Sequence, residues 1–323
     1  MKNIFITRKI LDSGIKMLTD KGYNVDISPK DRPLTKKEII KFLKQKEYDA
    51  VLTLLTDQID AEVMDSAPTV KIYANYAIGF NNINIEEAKK RNIYVTNTPG
   101  GGADRVSELA WALILALSCR VVEGDTMMRK GKWKGWDPMN LHGIKLHGKT
   151  LGIIGTGKIG SEVAEKGKKA FGMNIVYYDI AKNENIEREL GATFYSSPEE
   201  VLKIADVISL HVPLLDSTKH LINAERLQMM KKSAYLINTS RGPVVDENAL
   251  VYALSNGIIR GAGLDVYEFE PKTAKGLTKL PNVVMTPHIA SASDDARYDM
   301  AMLSTGNIID CMEGRVPKNN VVK

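Results

Sequence analysis

The sequence predicts an α/β protein of two domains built on parallel sheets. Its 323 residues suffice for two compact units, since domains usually run roughly 100–200 residues. Short apolar segments alternate with segments of helical periodicity almost from end to end. Continuous apolar strands are typical of parallel sheets buried on both faces. The predicted strands are NIFIT, AVLTLL, VKIYANY, IYVTN, TLGIIG, NIVYYD, ADVISLHV, SAYLINTS, GAGLDVY and NVVMTP.

Composition and charge exclude several classes of protein. Apolar residues make up 44% of the chain and charged residues 26%, which is ordinary for a globular protein. The net charge of +5 is modest, and the lysines are spread over segments such as TKKEIIKFLKQK, where apolar residues recur at helical spacing. We interpret these lysines as solvated helix faces and expect no nucleic-acid partner.

The cysteines and the apolar runs indicate the cellular compartment in which the protein is expected. The two cysteines, Cys119 and Cys311, have no metal-ligand or CxxC spacing, so we expect no disulfide framework and no metal, as in a reducing cytoplasm. Arg8 and Lys9 interrupt the first apolar run, which argues against a signal peptide. The run from Leu109 to Leu117 is far shorter than the roughly 20 residues that span a bilayer. We therefore expect no membrane association.

Three further segments indicate how the chain is organised. A long helix is predicted over about Ala103 to Arg129, followed by the aperiodic stretch GKWKGWDPMNLHGIKLHGKT, which we interpret as a connection between two domains. Near the end, SDDARYDMAMLSTGNIIDCMEG predicts another helix. The residues alone do not decide which domain receives this last helix.

A dinucleotide-binding motif lies in the middle of the chain. Gly155, Gly157 and Gly160 have GxGxxG spacing between an apolar strand and an amphipathic helix, and the next strand ends in Asp179, nineteen residues after Gly160. The glycines permit a tight turn, close approach of a pyrophosphate and close helix packing, while the acid accepts hydrogen bonds from a ribose. Because a carboxylate repels a 2′-phosphate, this order favours NAD over NADP.

Polar residues follow the later strands, where an open parallel sheet binds ligands. They are His211 and Pro213, then Thr239, Ser240 and Arg241, then Asp265 and Glu270, and finally His288. Taken singly, Arg241 is as compatible with a surface turn as with a binding role, whereas a solvated loop for Glu270 and packing at a strand end for His288 are the favoured interpretations. Together beside a nicotinamide they predict an anion-binding guanidinium and an acid–base pair. We expect no catalytic role for His142, His147 or His220.

Longer motifs resemble one family over almost the whole chain. They are VKIYANYAIGFNNINIEEAKKRNIYVTNTPG, GKTLGIIGTGKIG, DVISLHVPLLDSTKHLIN, LINTSRGPVVDENAL, GAGLDVYEFEP and NVVMTPHIASAS. The sequence resembles the D-isomer-specific 2-hydroxyacid dehydrogenases, especially the branch of glyoxylate and hydroxypyruvate reductases. Glu270 follows Arg241 by 29 residues and precedes His288 by 18, as in that branch.

This resemblance implies an architecture and an activity. Residues 1–99 with 290–323 would form a discontinuous, flavodoxin-like substrate domain that receives the last helix. Residues 100–289 would form a doubly wound Rossmann-type domain for NAD. The implied protein is a homodimeric, NAD-dependent enzyme that reduces a small 2-oxo acid, glyoxylate or hydroxypyruvate, to the D-2-hydroxy acid. A short 3-phosphoglycerate dehydrogenase and a dinucleotide-sensing binding protein remain alternatives.

The resemblance also assigns roles to residues. Arg241 would anchor the substrate, Glu270 would pair with the histidine, and His288 would act as acid and base. The backbone of Ile78 and Gly79 would bind the substrate carboxylate. The implied cofactor contacts are Val106, Gly155, Thr156, Gly157, Lys158, Ile159, Gly160, Asp179, Ile180, His211, Val212, Pro213, Thr239, Ser240, Asp265 and Ala290, with Asp265 orienting the nicotinamide carboxamide.

Two departures from the family pattern stand out. Asn81 and Asn84 occupy a region in which the family usually has Asp, and the run Gly100–Gly102 replaces bulkier apolar residues. The run leaves the size of the substrate open.

Overall fold

The computed structural model describes residues 1–100 and 102–322. The chain divides into two compact units, the first comprising Met1–Gly102 with Ser291–Lys323 and the second Ala103–Ala290. The predicted boundary between residues 99 and 100 lies three residues before the first crossing, and the predicted boundary between residues 289 and 290 lies one residue before the second. The assignment of the units to substrate and dinucleotide stays a prediction.

The strands of the described residues form two sheets. In chain order they are β1 (Asn3–Ile6), β2 (Asn24–Ile27), β3 (Ala50–Leu54), β4 (Ile72–Tyr76), β5 (Tyr94–Thr96), β6 (Thr150–Ile154), β7 (Asn174–Tyr178), β8 (Thr193–Phe194), β9 (Val207–Leu210), β10 (Tyr235–Asn238), β11 (Gly261–Leu264) and β12 (Val283–Met285). Every pairing between neighbouring strands is parallel. The predicted α/β class with parallel sheets is confirmed.

Helices connect these strands. They are α1 (Asp12–Asp20), α2 (Lys36–Leu43), α3 (Ala61–Asp65), α4 (Ile85–Lys90), α5 (Ala103–Ser118), α6 (Val121–Arg129), α7 (Lys158–Phe171), α8 (Glu184–Leu190), α9 (Pro198–Ile204), α10 (Ala224–Met229), α11 (Glu247–Ser255) and α12 (Asp294–Met312), with short 3₁₀ turns at Gly242–Val244 and Leu277–Lys279. Within the part of the chain that the structure describes, none of these helices has the length and apolar character required to cross a membrane.

The first unit is a five-stranded sheet in the order β2-β1-β3-β4-β5 with helices on both faces. Successive side chains of a strand point to opposite faces, and in β1 both faces are apolar. Ile4 and Ile6 pack with Met300 and Ala301 of α12 on one face, while Phe5 packs with α2 and α3 on the other. This burial explains the continuous apolar strands.

The second unit is a seven-stranded sheet in the order β12-β11-β10-β9-β6-β7-β8. Leu113 of α5 and Val163 of α7 cover one face, and Leu227 of α10 and Leu250 of α11 cover the other. The ten predicted strands are present. The patterns missed β2 and β8, because NVDI carries only two apolar residues and β8 is two residues long, and both strands lie at sheet edges.

Two sequence-based predictions in the second unit are wrong. The helix predicted over residues 103–129 is broken at Arg120, which adopts a left-handed conformation (φ 55°) between α5 and α6. The carbonyl of Ser118 accepts a hydrogen bond from Ile144 N (2.9 Å) instead of continuing the helix. The aperiodic stretch 131–150 does not connect the two units but lies inside the second. This stretch packs against the end of α5, so it is not the predicted domain crossing.

Candidate active site

The glycine motif forms the turn that the spacing predicts. Gly155 follows β6 with φ 93°, and Gly157 is the N-cap of α7. A Cβ on Gly160 would lie 2.0 Å from the Gly155 carbonyl oxygen, whereas a Cβ on Gly157 would meet no described atom within 4 Å. Gly160 thus allows close packing, and Gly157 leaves open space at a helix N-terminus, which favours an anion. Lys158 and Ile159 begin that helix.

Asp179 is tied to this turn by three hydrogen bonds. Thr156 donates to Asp179 Oδ2 from its backbone N (2.6 Å) and its hydroxyl (3.0 Å), and Ile180 N donates to Oδ1 (2.7 Å). The carboxylate lies at a groove of about 450 Å³ that is also lined by Gly157 and Lys182. Beside it the side chain of Ile180 is 95% exposed. The groove therefore offers a fixed carboxylate, and the exposed Ile180 next to Asp179 offers an apolar surface, as a ribose and an adenine require.

The loops after β9 and β10 supply the next predicted contacts. Gly155 lies against the backbone of His211 and the side chain of Val212. Burial lowers the pKa of His211 to about 3, so its imidazole is neutral and it contributes backbone rather than acid–base chemistry. Thr239 is 7% exposed, and Ser240 donates to Asn238 Oδ1 (2.8 Å). The other predicted contacts in this unit are Pro213 after β9, Val106 on α5 and Ala290 after β12.

Arg241, Glu270 and His288 follow three neighbouring strands. β10, β11 and β12 are adjacent and parallel, so the segments after them leave the sheet at the same edge. Nδ1 of His288 lies 3.0 Å from Oε2 of Glu270, within hydrogen-bond reach. The structure therefore brings together two residues that are 18 apart in sequence.

The charge state of Glu270 has several causes. Burial, the largest single effect, raises the pKa of this carboxyl, while the hydrogen bond and charge of His288 lower it. A further bond from Tyr267 N to Oε1 (3.0 Å) and the charge of Arg241 act in the same direction as His288. The net result is a pKa below the usual value for Glu, so the carboxylate is ionised at neutral pH and faces the imidazole.

Arg241 is withdrawn from water beside this pair. Burial lowers the pKa of its guanidinium, against the opposing charge of Glu270. An arginine nevertheless stays charged in proteins. Its Nη1 donates to the carbonyl of Ser240 (2.7 Å). A partly desolvated cation next to an acid–base pair suits the binding of an anionic substrate.

The backbone at His288 is held in an uncommon conformation. His288 has φ 54°, in the left-handed region that non-glycine residues rarely adopt. Its N–H donates to the carbonyls of Asp265 (2.9 Å) and Thr286 (3.1 Å). The Asp265 carboxylate accepts from Thr286 Oγ1, Ile289 N and Ala290 N at 2.5, 2.8 and 2.9 Å. The buried Asp265 thus fixes the segment that presents the imidazole, in addition to the cofactor role predicted for it.

The sequence did not predict which residues hold the Glu270 loop. Glu247 is 3% exposed and accepts hydrogen bonds from the backbone N of Glu268 (2.7 Å) and Ala274 (2.6 Å). Glu268 in turn accepts from Glu247 N (3.1 Å) and contacts His220 Nε2 (2.5 Å). His220 lies in a turn with φ 50°. The sequence offered one signal of this network, namely that Glu247 is an acidic residue at a buried position of an amphipathic helix.

The predicted substrate contacts of the first unit lie between β4 and α4. Ile78 and Gly79 form a loop directly after the buried end of β4. Asn84, which departs from the family pattern, is the N-cap of α4 and accepts from Glu87 N (3.1 Å), a role that Asn fills as well as Asp. Gly100 and Gly102 have φ of 81° and 88°, which favours glycine, and Gly101 lies outside the described residues.

The residues present suit a dinucleotide better than a metal. The glycine turn, the helix N-terminus and the Asp179 groove match the parts of such a cofactor. Among the residues that the structure describes, no group of three or more His, Cys, Asp or Glu side chains could hold a metal ion.

Comparisons with known proteins agree with this geometry. The family model described as "D-isomer specific 2-hydroxyacid dehydrogenase, NAD binding domain" matches residues 111–290. A glyoxylate reductase of Thermococcus litoralis is 48% identical over 326 residues, covering 99% of this chain and 96% of that protein. One from Pyrococcus horikoshii is 49% identical, covering 97% and 94%. A crystal structure of a Thermus thermophilus protein covers 99% of this chain and 100% of its own, with a TM-score of 0.92 and 41% identity.

The fold and the site define an oxidoreductase with a nicotinamide dinucleotide cofactor. The chain belongs to the D-isomer-specific 2-hydroxyacid dehydrogenase family. The predicted family, its glyoxylate reductase branch and the prediction of an enzyme are confirmed. The roles of the individual residues stay predictions.

We predict that Glu270→Gln lowers the free energy of unfolding at neutral pH and that this loss disappears in acid. The pKa of Glu270 is depressed in the fold, so its carboxylate stabilises the protein above the pKa it has when unfolded. That contribution is lost as the pH falls through the lower folded value. Denaturant unfolding at pH 7 and pH 3 measures both differences. Glu184→Gln, at a carboxyl in the cofactor groove, is the control, and an equal loss at both pH values contradicts the prediction.

Proposed function

We propose that the protein reduces glyoxylate or hydroxypyruvate with NADH to the 2-hydroxy acid, the D isomer where the product is chiral. The observation that carries this proposal is the 3.0 Å contact between His288 and Glu270 beside Arg241. The glyoxylate reductases among the relatives support the choice of substrate.

His288 is the proton donor in this proposal. Its Nδ1 faces the Glu270 carboxylate, which fixes the ring and leaves Nε2 for the substrate. As negative charge develops on the substrate carbonyl oxygen, Nε2 gives that oxygen its proton.

Arg241 binds the substrate and stabilises the developing charge. Its planar guanidinium can donate two parallel hydrogen bonds to a carboxylate, or one to the carboxylate and one to the carbonyl oxygen. Because the group is partly desolvated, these bonds are stronger than they would be in water. We assign the amides of Ile78 and Gly79 to the substrate carboxylate, as the family resemblance implies.

The glycine turn would hold a nicotinamide dinucleotide, which would supply the hydride for the carbonyl carbon. With the proton from His288, the carbonyl takes up two electrons and two hydrogens and becomes a hydroxyl. Thr239, Ser240 and Asp265 are the proposed contacts for its nicotinamide half. After the reaction His288 is neutral, and it regains a proton from solvent.

We predict that His288→Gln lowers kcat by roughly 10²- to 10⁴-fold, the usual contribution of a general acid, while the Kd for NADH changes little. NADH absorbance with glyoxylate measures turnover, and fluorescence titration measures binding. His142→Gln, in an exposed part of the chain, is the control. Near-normal turnover by His288→Gln eliminates the assigned role. A wild type that binds NADH but reduces neither glyoxylate nor hydroxypyruvate contradicts the proposed reaction and favours a binding protein.

We propose NAD rather than NADP as the cofactor. Three donors hold the Asp179 carboxylate at the groove, where it can accept from a ribose hydroxyl and repel a 2′-phosphate. Lys182 is the cation of the groove that could attract a phosphate, but its Nζ lies over the ring of Phe194, 5.5 Å from the centroid. The balance of charge therefore favours an unphosphorylated ribose.

We predict that Asp179→Ser raises the ratio of kcat/KM for NADPH to that for NADH by roughly tenfold or more, because it removes a like-charge contact worth at least about 1.4 kcal/mol. Initial rates with both cofactors measure the ratio. Glu184→Gln removes the same charge from the same groove and should change the ratio much less. Wild-type enzyme that uses NADPH as well as NADH would count against the assignment.

We also propose a homodimer and a cytoplasmic location. An exposed apolar arm, residues 121–139, carries Val121 (56% exposed), Val122 (45%), Met128 (58%), Trp133 (54%), Trp136 (86%) and Met139 (77%). So many large apolar side chains on one segment are typical of an association surface. The family resemblance makes a second copy of this chain the partner. Both cysteines are unbridged, which agrees with a reducing compartment.

We predict that replacing Met128 and Trp136 together by Ser shifts the protein toward the monomer, because each substitution removes exposed apolar area from the proposed interface. Light scattering after gel filtration should give twice the chain mass for the wild type and less for the variant. Tyr252→Ser removes an aromatic ring that is 62% exposed on α11 and should leave the mass unchanged. A monomeric wild type rejects the dimer.

A further inference from the structure

Three successive carbonyl groups after β4 are held by donors from the first unit. The contacts are Thr98 N to the Ala77 oxygen (2.9 Å), Asn97 Nδ2 to the Ile78 oxygen (2.7 Å) and Asn75 Nδ2 to the Gly79 oxygen (2.9 Å). Each peptide plane from residue 77 to residue 80 is therefore fixed by a hydrogen bond at its oxygen.

Planarity transfers this constraint to the amides. In a trans peptide the N–H points away from the C=O of the same plane. The carbonyls of residues 77, 78 and 79 point toward their donors. Each N–H of Ile78, Gly79 and Phe80 therefore points away from the donor that holds its own peptide plane. None of these three N–H groups has a hydrogen-bond acceptor among the described residues. The loop therefore presents three successive peptide donors, and successive backbone N–H groups of this kind can bind an anion.

Burial and, for Asn75, further hydrogen bonds restrict rotation of the Asn75 and Asn97 side chains away from the carbonyls that they hold. Asn75 is fully buried at the end of β4, and Asn97 is 9% exposed just after β5. The oxygen of Asn75 accepts from Thr53 Oγ1 (3.0 Å), while its nitrogen also donates to Asn82 Oδ1 (3.0 Å). Asn82 is anchored in turn on the carbonyls of Leu54 and Asp57. This network sets which end of the Asn75 amide faces Gly79.

We propose that Asn97 and Asn75 are positioning residues that aim the amides of Ile78, Gly79 and Phe80 at the carboxylate of the substrate. The inference rests on the proposed function and adds the device that orients the donors, with Phe80 N as a third one. Asn97 is the more sensitive point, because its single bond to the Ile78 carbonyl alone sets the direction of the Gly79 N–H. Neither asparagine contacts the reacting atoms, so the effect falls on substrate binding.

Substitution of Asn by Asp separates the two uses of asparagine near this loop. Asn97 acts through its N–H₂ group, which Asp lacks, whereas Asn84 acts through its oxygen as a helix cap, which Asp retains. We expect Asn97→Asp to raise KM for glyoxylate roughly 10- to 100-fold, as for the loss of a hydrogen bond to a charged group. We expect kcat and the Kd for NADH to stay within about threefold, since binding in the ground and transition states is lost together. Asn84→Asp should leave all three constants unchanged.

Asn97→Ala provides a second variant that introduces no charge near the Ile78 carbonyl, and thermal unfolding of each variant checks the fold. Calorimetric titration of the NADH complex with oxamate, an unreactive 2-oxo acid analogue, measures carboxylate binding without turnover. Weaker oxamate binding in both Asn97 variants, but not in Asn84→Asp, supports the inference. Unchanged oxamate binding in both Asn97 variants overturns it. So does an equal loss in all three variants, or a loss of NADH affinity that matches the loss of oxamate affinity.

The same data keep this inference distinct from the proposed function. Wild-type reduction of glyoxylate tests the reaction, while the oxamate contrast tests the orientation of the amides. A wild type that binds oxamate with the expected contrast, but reduces no 2-oxo acid, overturns the reaction and supports the positioning role. A wild type that binds no oxamate overturns the positioning role directly.

Discussion

The parallel direction of the strands in the second unit is the constraint on which its chemistry depends. Parallel strands place all their carboxyl ends at one edge of the sheet, so the segment after each strand reaches the same side. The glycine turn follows β6, and the segments of Arg241, Glu270 and His288 follow β10, β11 and β12. Residues far apart in the chain are thereby brought to a common edge. A pair such as His288 and Glu270 needs only a loop of the right length to meet at 3.0 Å.

Parallel strands place the segments of His288 and Glu270 only approximately, and hydrogen bonds to buried carboxylates fix their positions. Asp265 holds the segment of His288 through three donors, and Glu247 holds the loop of Glu270 through two backbone N–H groups. Each is almost fully buried, where an unsatisfied charge would be costly, so each must keep its partners. Gly242 reinforces the arrangement, because a Cβ there would lie 1.9 Å from the Tyr267 carbonyl group. The turn of Arg241 and the loop of Glu270 are thus packed backbone against backbone.

The first unit offers an anion a different kind of contact. In our proposal it uses peptide N–H groups whose direction is set by buried asparagines such as Asn97, whereas the second unit would use the guanidinium of Arg241. Peptide donors carry no net charge and have no side-chain freedom to lose, while a guanidinium supplies charge with a planar fork. The departure from the family pattern at Asn84 is explained by capping, since that side chain accepts from Glu87 N. It does not alter the donors at Ile78 and Gly79.

The sequence by itself determined the fold class, ten of the strands and the glycine turn, because apolar runs and GxGxxG spacing reflect local constraints that act along the chain. Its longer motifs carried the resemblance to the family. Only the tertiary structure decided the break at Arg120, the place of residues 131–150, and the network of Glu247, Glu268 and His220. Each of these depends on partners distant in sequence: Ile144 takes the carbonyl that would have extended α5, and a buried helix acid meets the backbone of a later loop. Such pairings leave no periodicity in the chain, since they are set by which surfaces meet once the sheets have formed.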